Sequence, residues 1–165
     1  MEVEKNVFST IMQQRWDGTM TQDEFKKKYA GKFTTLQLIT ALEAVLKQKS
    51  ASEAESLFAA GFDFNLFNKE TVPILCKYIT ETWHKQHENI ASLLQSFKMP
   101  GTEQALADGM YIKCDYWYDN GDAFIRKCAY ALKAIGTPEA DEKLKVLSND
   151  GNEIIKKYAL HQLEK

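Results

Sequence analysis

Cysteine is scarce in this chain of 165 residues, with only Cys76, Cys114 and Cys128 present. An odd number of widely spaced cysteines forms neither a disulfide framework nor a CxxC metal knuckle. Proline is equally rare, with three residues, and no linker rich in proline or glycine divides the chain. These absences predict a single domain over residues 1–165 with reduced thiols, as is usual in the cytosol.

Long apolar runs and an excess of positive charge are also missing. No run approaches the roughly 20 residues that a helical membrane span requires, so we expect no membrane partner. The opening segment, Met1 to Asn6, lacks the apolar core of a secretory signal, and we therefore expect a cytoplasmic protein. The formal net charge is −2. Proteins that depend on phosphate contacts need concentrated positive charge, so nucleic acid is disfavoured as a partner.

The common catalytic signatures are absent as well. The sequence has no glycine-rich phosphate loop, no nucleophile elbow and no dinucleotide-binding fingerprint. Cys114 and Cys128 would be nucleophiles only beside an activating histidine. The histidines lie far away in the sequence, so inert thiols are the default interpretation. We predict that the chain is not an enzyme and has no catalytic residue, no metal site and no cofactor.

Helical signals, in contrast, are abundant. Apolar residues recur at three- and four-residue steps, as in Ile74, Leu75, Tyr78, Ile79 and Trp83, and again in Phe124, Cys128, Ala131, Leu132 and Ile135. Five start signals separate such stripes, namely capping boxes at Thr21–Glu24 and Ser50–Glu53, and N-caps at Asp122, Thr137 and Asn152. The one stretch rich in strand-forming residues, Tyr111 to Tyr118, has no partner strand and is interpreted as an ordered loop after a helix. The sequence predicts an all-α fold.

A segment of the chain is repeated at an offset of 35 positions. Residues 90–102 return as residues 125–137, so that Ile90 corresponds to Ile125 and Gly101-Thr102 corresponds to Gly136-Thr137. A shorter copy starts at Ile155. Self-similarity at a few tens of residues is typical of stacked helical units, which function mainly by presenting a surface.

The second copy resembles a HEAT repeat. Residues 125–140 run from an apolar and a basic residue through alanines and leucine to Ile-Gly and a Pro-Glu-Ala turn. The likeness is good over residues 122–165, weaker over 71–110 and absent before that. It implies a short HEAT-like α-solenoid of about eight or nine helices. We expect an irregular helical cap over residues 1–68, followed by helix pairs over residues 69–165.

The strongest candidate site is the loop between the two copies, residues 108–122. Its predicted partner-binding residues are four aspartates and four aromatic residues, Asp108, Tyr111, Asp115, Tyr116, Trp117, Tyr118, Asp119 and Asp122. The carboxylates would steer a basic partner and the rings would anchor it. The alternative is that the rings pack inward between repeats while the aspartates cap helices.

Two further clusters have weaker claims to a function. His84 and His87 share a helix face and could bind a metal, but no third or fourth ligand is evident, and a solvated polar face is the preferred interpretation. HEAT-like deoxyhypusine hydroxylases use several His-Glu pairs around iron, whereas this chain has one, at His87-Glu88. HEAT-like DNA glycosylases have basic concave faces, whereas Lys26–Lys28 and Lys156-Lys157 are small clusters typical of solvated surfaces.

A small, slightly acidic, helical protein without catalytic groups resembles the cytoplasmic immunity proteins of bacterial contact-dependent growth-inhibition systems. That resemblance implies a protein-binding module that neutralises a cognate toxin, such as a basic nuclease. Two alternatives stay open. One is a HEAT-like enzyme or nucleic-acid-binding protein, and the other is a generic scaffold or adaptor.

Overall fold

The computed structural model describes residues 7–165, which form ten α-helices and one short 3-10 helix. The α-helices are α1 Val7–Trp16, α2 Gln22–Tyr29, α3 Thr35–Gln48, α4 Ala51–Asp63, α5 Val72–Tyr78, α6 His87–Phe97, α7 Glu103–Gly109, α8 Asp122–Ile135, α9 Pro138–Leu147 and α10 Glu153–Leu163, and the 3-10 helix is Lys69–Thr71. No strand occurs among these described residues, so the predicted all-α class is confirmed. The segment expected to lack a secretory signal, Met1 to Asn6, lies outside them.

Ten helices exceed the eight or nine expected, because some helices are short. α5 and α7 have seven residues each, about two turns. The apolar stripe predicted from Ile74 to Trp83 is interrupted, since α5 ends at Tyr78. None of the helices within residues 7–165 combines the length and apolar character that crossing a bilayer requires.

The described chain divides into two compact units, with the boundary after Ile74 inside α5. The first unit contains the described residues up to Ile74, and the second is Leu75–Lys165. The single domain with a cap over residues 1–68 stays a prediction.

In the first unit, α4 packs against α1 and α3. The buried side chains between these helices are large and apolar, and include Phe8, Met12, Leu38, Leu42, Leu57 and Phe58. Four more rings, those of Phe25, Tyr29, Phe33 and Phe64, form a cluster with centroids 5.1 to 6.4 Å apart. Aromatic pairs at such distances contribute about 0.5–1.5 kcal/mol each beyond the area they bury.

The predicted capping boxes of the first unit differ in outcome. Thr21 accepts a hydrogen bond from the Glu24 backbone N–H at 3.3 Å, and the Glu24 carboxylate accepts one from the Thr21 N–H at 2.9 Å, so this box is confirmed. Ser50 accepts from the Glu53 N–H at 3.4 Å, but the Glu53 carboxylate accepts from the Ser9 hydroxyl. The second capping box is therefore only half formed, because the Glu53 carboxylate bonds to Ser9 of α1 and not to the backbone of Ser50.

In the second unit, α8 lies at the centre and contacts α6, α7, α9 and α10. Its buried face carries Phe124, Ile125, Cys128, Ala131 and Leu132, the spacing expected of one side of a helix. Burying a large apolar side chain contributes about 1.5–3 kcal/mol. This central helix therefore contributes its buried face to the packing of four neighbouring helices.

The 35-residue repeat corresponds to two helix pairs in equal register. α6 begins at His87 and α8 at Asp122, while α7 begins at Glu103 and α9 at Pro138, so both pairs of starts are 35 positions apart. Each repeated glycine lies two positions before the next helix, but only Gly136 is the C-cap of the preceding one, since Lys98 caps α6. Gly101 and Gly136 have φ of +94° and +71°, values that L side chains rarely adopt.

Candidate functional site

The loop over residues 108–122 runs from the end of α7 to the start of α8 as a series of turns and bends. The absence of a strand over Tyr111 to Tyr118 confirms the predicted ordered loop. Its eight candidate residues divide into two groups of four. One group packs into the second unit or stabilises it, and the other faces solvent.

Two of the aromatic rings face inward. The Tyr116 hydroxyl lies 2.7 Å from His87 Nδ1. The Trp117 ring is stacked on Phe124 with centroids 5.4 Å apart. Gly121 permits this packing, since a Cβ at that position would lie 3.0 Å from the Trp117 ring and its φ is +80°. Tyr116 and Trp117 are therefore packing residues.

Two of the aspartates stabilise helices. The Asp119 carboxylate accepts hydrogen bonds from the backbone N–H groups of Gly121 and Ala123, both at 3.0 Å, and so caps α8. The prediction of Asp122 as the N-cap is wrong, because Asp122 is the first residue of the helix and Gly121 holds the cap position. The Asp122 side chain instead accepts a hydrogen bond from the Tyr158 hydroxyl at 2.5 Å.

The other four candidates, Asp108, Tyr111, Asp115 and Tyr118, are exposed. Tyr118 is almost fully in solvent, at 98% exposure, and Tyr111 is 53% exposed. The Tyr111 hydroxyl donates a hydrogen bond to the Asp150 carboxylate, which orients the ring. The loop thus presents two rings and two carboxylates, the combination expected of a surface that steers and anchors a basic partner.

Beneath the loop, His84 and His87 are buried, at 1% and 0% exposure. The interpretation of this pair as a solvated polar face is therefore wrong. Their imidazole rings are stacked with centroids 4.3 Å apart. The prediction that both lie on one helix is also wrong, because α5 ends at Tyr78, His84 lies in the bend that follows, and α6 begins at His87. The side chains of Tyr116 and Trp117, from a loop distant in the sequence, contact His87.

Hydrogen bonds determine the protonation of both rings. His84 Nδ1 accepts from the Gln86 N–H at 3.0 Å, so Nε2 carries the proton and donates to the Tyr78 carbonyl at 2.8 Å. His87 Nε2 donates to the Glu81 carbonyl at 2.6 Å, and Nδ1 accepts from Tyr116. Burial lowers the pKa of both groups, that of His84 to about 4. Both histidines are neutral at pH 7.

This arrangement does not activate a nucleophile. Cys114 Sγ lies 3.7 Å from His87 Nε2, although the two residues are 27 positions apart in the sequence. However, Nε2 is protonated and the lone pair on Nδ1 is occupied by Tyr116, so His87 has no site to accept a thiol proton. Burial raises the pKa of Cys114 to about 11 and raises that of Cys128 as well, which favours the inert thiols.

The same hydrogen bonds leave no lone pair on either histidine for a metal ion, since each acceptor nitrogen already has a donor. Within residues 7–165, no group of three or more histidine, cysteine, aspartate or glutamate side chains could hold a metal ion.

Asp108 and Tyr111 also line a groove of about 310 Å³ between α7 and α9. Its opposite wall includes Glu139, Glu142 and Val146, which the sequence-based prediction omitted. The sequence did contain a signal for these three residues, because each lies 35 positions after a residue of the α7 wall, which is the offset of the repeat.

The chain was compared with protein-family models, with curated proteins and with solved structures, and no match was found.

Proposed function

We propose that α6 to α10 are HEAT-like helix pairs of a short α-solenoid. The packing of alternate helices supports this proposal, since α8 packs against both α6 and α10 and α7 packs against α9. Stacked pairs generate two such layers of alternate helices. The equal register of the two helix starts at the 35-residue offset points to the same arrangement.

We propose further that the chain is a non-enzymatic protein-binding module, a cytoplasmic immunity protein that binds and neutralises a cognate bacterial toxin. One observation carries this proposal. Tyr118 and Tyr111 are exposed beside the exposed carboxylates of Asp108 and Asp115. Tyrosines are enriched among the residues that dominate binding energy, and carboxylates accelerate association with a basic surface.

The chemistry of the partner follows from the charge of this surface. A toxin that cleaves nucleic acid needs a basic groove to bind phosphates. An inhibitor that presents carboxylates and rings is complementary to such a groove and would compete with the nucleic acid for it.

Several of the features that could favour an enzyme or a nucleic-acid-binding protein have structural contacts. His84 and His87 are buried and neutral with all their ring nitrogens hydrogen-bonded. Of the basic residues, Lys157 lies 3.7 Å from the Asp122 carboxylate and 4.5 Å from the centroid of the Tyr158 ring. Such a lysine is already engaged within the protein.

The test uses the product of the gene adjacent to the one that encodes this chain. We expect that product to arrest bacterial growth and the wild-type chain to restore it. The double variant Asp115→Ala/Tyr118→Ala should lose protection while its circular dichroism is unchanged, because both side chains are exposed. Trp117 and Asp119 are unsuitable targets, since they stabilise the unit. Leu160→Ala, an exposed change on α10, is the matched control and should protect fully.

Two results would contradict the proposal at different levels. Growth arrest that persists with the wild-type chain would reject the immunity function. Full protection by the double variant would reject the loop as the binding surface while leaving the function in place.

A further inference from the structure

The groove between α7 and α9 has an apolar floor and apolar flanks. Ala107 and Leu147 are buried at its base, whereas Tyr111 and Val146 at its sides are 53% and 65% exposed. Large apolar side chains left in solvent around a concave floor are typical of interaction sites.

The two walls are formed by equivalent positions of the repeat. α7 and the turn after it contribute positions 104, 107, 108 and 111, and α9 contributes positions 139, 142, 143 and 146. In each set the spacing is i, i+3, i+4, i+7, which places the four α9 positions on one helix face and positions 104, 107 and 108 on one face of α7, with Tyr111 in the turn that follows. The two sets are 35 positions apart, so the groove is the seam between equivalent faces of two repeat copies.

The charge along the groove is predominantly negative. Its lining includes the carboxylates of Asp108, Glu139 and Glu142 and a single basic residue, Lys143. Lys143 Nζ donates to Gln104 Oε1 at 2.7 Å, which joins the two walls at that point. An incoming cation therefore meets carboxylates on both helices.

We propose that this groove docks a basic segment of the partner protein, with one apolar side chain inserted between Tyr111 and Val146. Lysine or arginine residues on either side of that apolar residue contact Asp108, Glu139 and Glu142. This inference rests on the proposed function and names the binding site within it. The exposed Tyr118 of the loop then contacts the partner outside the groove.

The negative charge of the groove favours a basic segment over the two other possible ligands, a nucleic acid and a second copy of the chain. A nucleic acid would bring phosphates against three carboxylates, and a second copy of the chain would bring the same acidic lining against itself. Both pairings are repulsive. A basic segment is the complementary partner, and its apolar residue buries the two exposed flanks.

The test probes the full chain with a synthetic amphipathic peptide made only of leucine and lysine. Backbone amide NMR shifts should change in residues 104–111 and 139–147, and the same peptide with glutamate in place of lysine should produce no such changes. Val146→Ala and Tyr111→Ala should each weaken peptide binding about tenfold, as expected of central anchors. Leu160→Ala is the matched apolar control and should bind like the wild type.

Charge reversal gives an independent measurement. Glu142→Lys should weaken binding about tenfold, whereas Glu164→Lys, which changes the net charge equally at the end of α10, should have a much smaller effect. Equal losses from these two variants would show general attraction to an acidic protein and would overturn the groove. Shifts confined to other residues, or a dimer dissociated by Val146→Ala in analytical ultracentrifugation, would overturn it as well.

These outcomes are separable from the immunity test. Failure of the wild-type chain to restore growth rejects the proposed function whatever the peptide does. Restored growth together with full protection by Val146→Ala/Glu142→Lys rejects the groove alone.

Discussion

The carboxylate of Glu103 accepts a hydrogen bond from the Thr137 hydroxyl at 2.7 Å. This contact joins the first residue of α7 to the N-cap of α9, and so links the two copies of the repeat. The second oxygen of Glu103 accepts from the Gly101 N–H at 2.7 Å, and the residue is 1% exposed. Desolvation raises the pKa of Glu103, but the hydrogen bonds from its own backbone, Thr137 and Gly101 outweigh it and leave that pKa lowered.

Removing this carboxylate should destabilise the second unit. Glu103→Ala leaves the Thr137 hydroxyl and the Gly101 N–H without their acceptor, which costs about 1–3 kcal/mol of unfolding free energy. Urea denaturation of Glu103→Ala, Thr137→Ala and the double variant gives the coupling energy between the two residues. Glu142→Ala, on the exposed face of α9, is the control and should change stability by less than about 0.5 kcal/mol. A coupling energy near zero would contradict the link.

Stability should fall as the pH is lowered from about 6.5 to about 4. Burial, and then the proximity of His87, lower the pKa of His84 from 6.5 to about 4, against the opposing effect of its bond to Tyr78. The unfolded chain therefore binds a proton below about pH 6.5 that the folded chain does not bind until about pH 4. His84 alone should remove about 3 kcal/mol of unfolding free energy across that interval.

The measurement is urea denaturation at several pH values between 7.5 and 4.5. Carboxylates also titrate near the lower end, so the wild type is compared with two variants. His84→Gln should have a shallower pH dependence, whereas His161→Gln, at an exposed histidine of α10, should match the wild type. Identical pH profiles for all three proteins would refute the buried neutral pair.

The two adjacent rings of the loop should respond differently to substitution. Trp117→Ala removes a ring stacked on Phe124 and should cost about 3 kcal/mol of unfolding free energy. Tyr118→Ala removes a ring that is 98% exposed and should change stability by less than about 0.5 kcal/mol. Thermal and urea denaturation of both variants checks this, and each serves as the control for the other. Similar losses for the two would show that the loop packs differently.

Gly121 and Gly136 cap the two ends of α8, and both have a positive φ, so their substitutions can be compared. Gly136→Ala faces open space at φ +71°, so it should cost about 1 kcal/mol from backbone conformation alone. Gly121→Ala adds a Cβ 3.0 Å from the Trp117 ring at φ +80°. It should therefore cost more than Gly136→Ala and should alter the tryptophan fluorescence. Equal costs with unchanged fluorescence would argue against the close approach of Gly121 and Trp117.

Local signals predicted the helices well, because a capping oxygen or an apolar stripe acts within one or two turns. Thr137 accepts from the Ala140 N–H at 3.1 Å and Asn152 from the Ile154 N–H at 3.0 Å, as expected from the sequence. Asp122 was misplaced because Asp119, three residues earlier, accepts the hydrogen bonds from Gly121 and Ala123 at the start of the helix. Two neighbouring aspartates cannot be told apart as caps without the geometry of the turn.

The sequence predicted a loop over Tyr111 to Tyr118, but not how its side chains are packed. The composition of the loop identified residues 108–122, and the sequence-based reasoning named both the binding role and the packing role. The structure assigns Tyr116, Trp117, Asp119 and Asp122 to packing and leaves the other four exposed. The α9 wall of the groove was missed because the repeat was used to locate turns, not to superpose helix faces.

By itself, the sequence determined the all-helical class and the turns at Gly101 and Gly136, since these depend on interactions between residues a few positions apart. The 35-residue register was visible as a repetition of residues. Only the tertiary structure decided which side chains of the loop face solvent. That outcome depends on partners remote in the chain, such as His87 for Tyr116 and Tyr158 for Asp122. Burial is a property of where distant segments meet, and a local pattern does not contain that information.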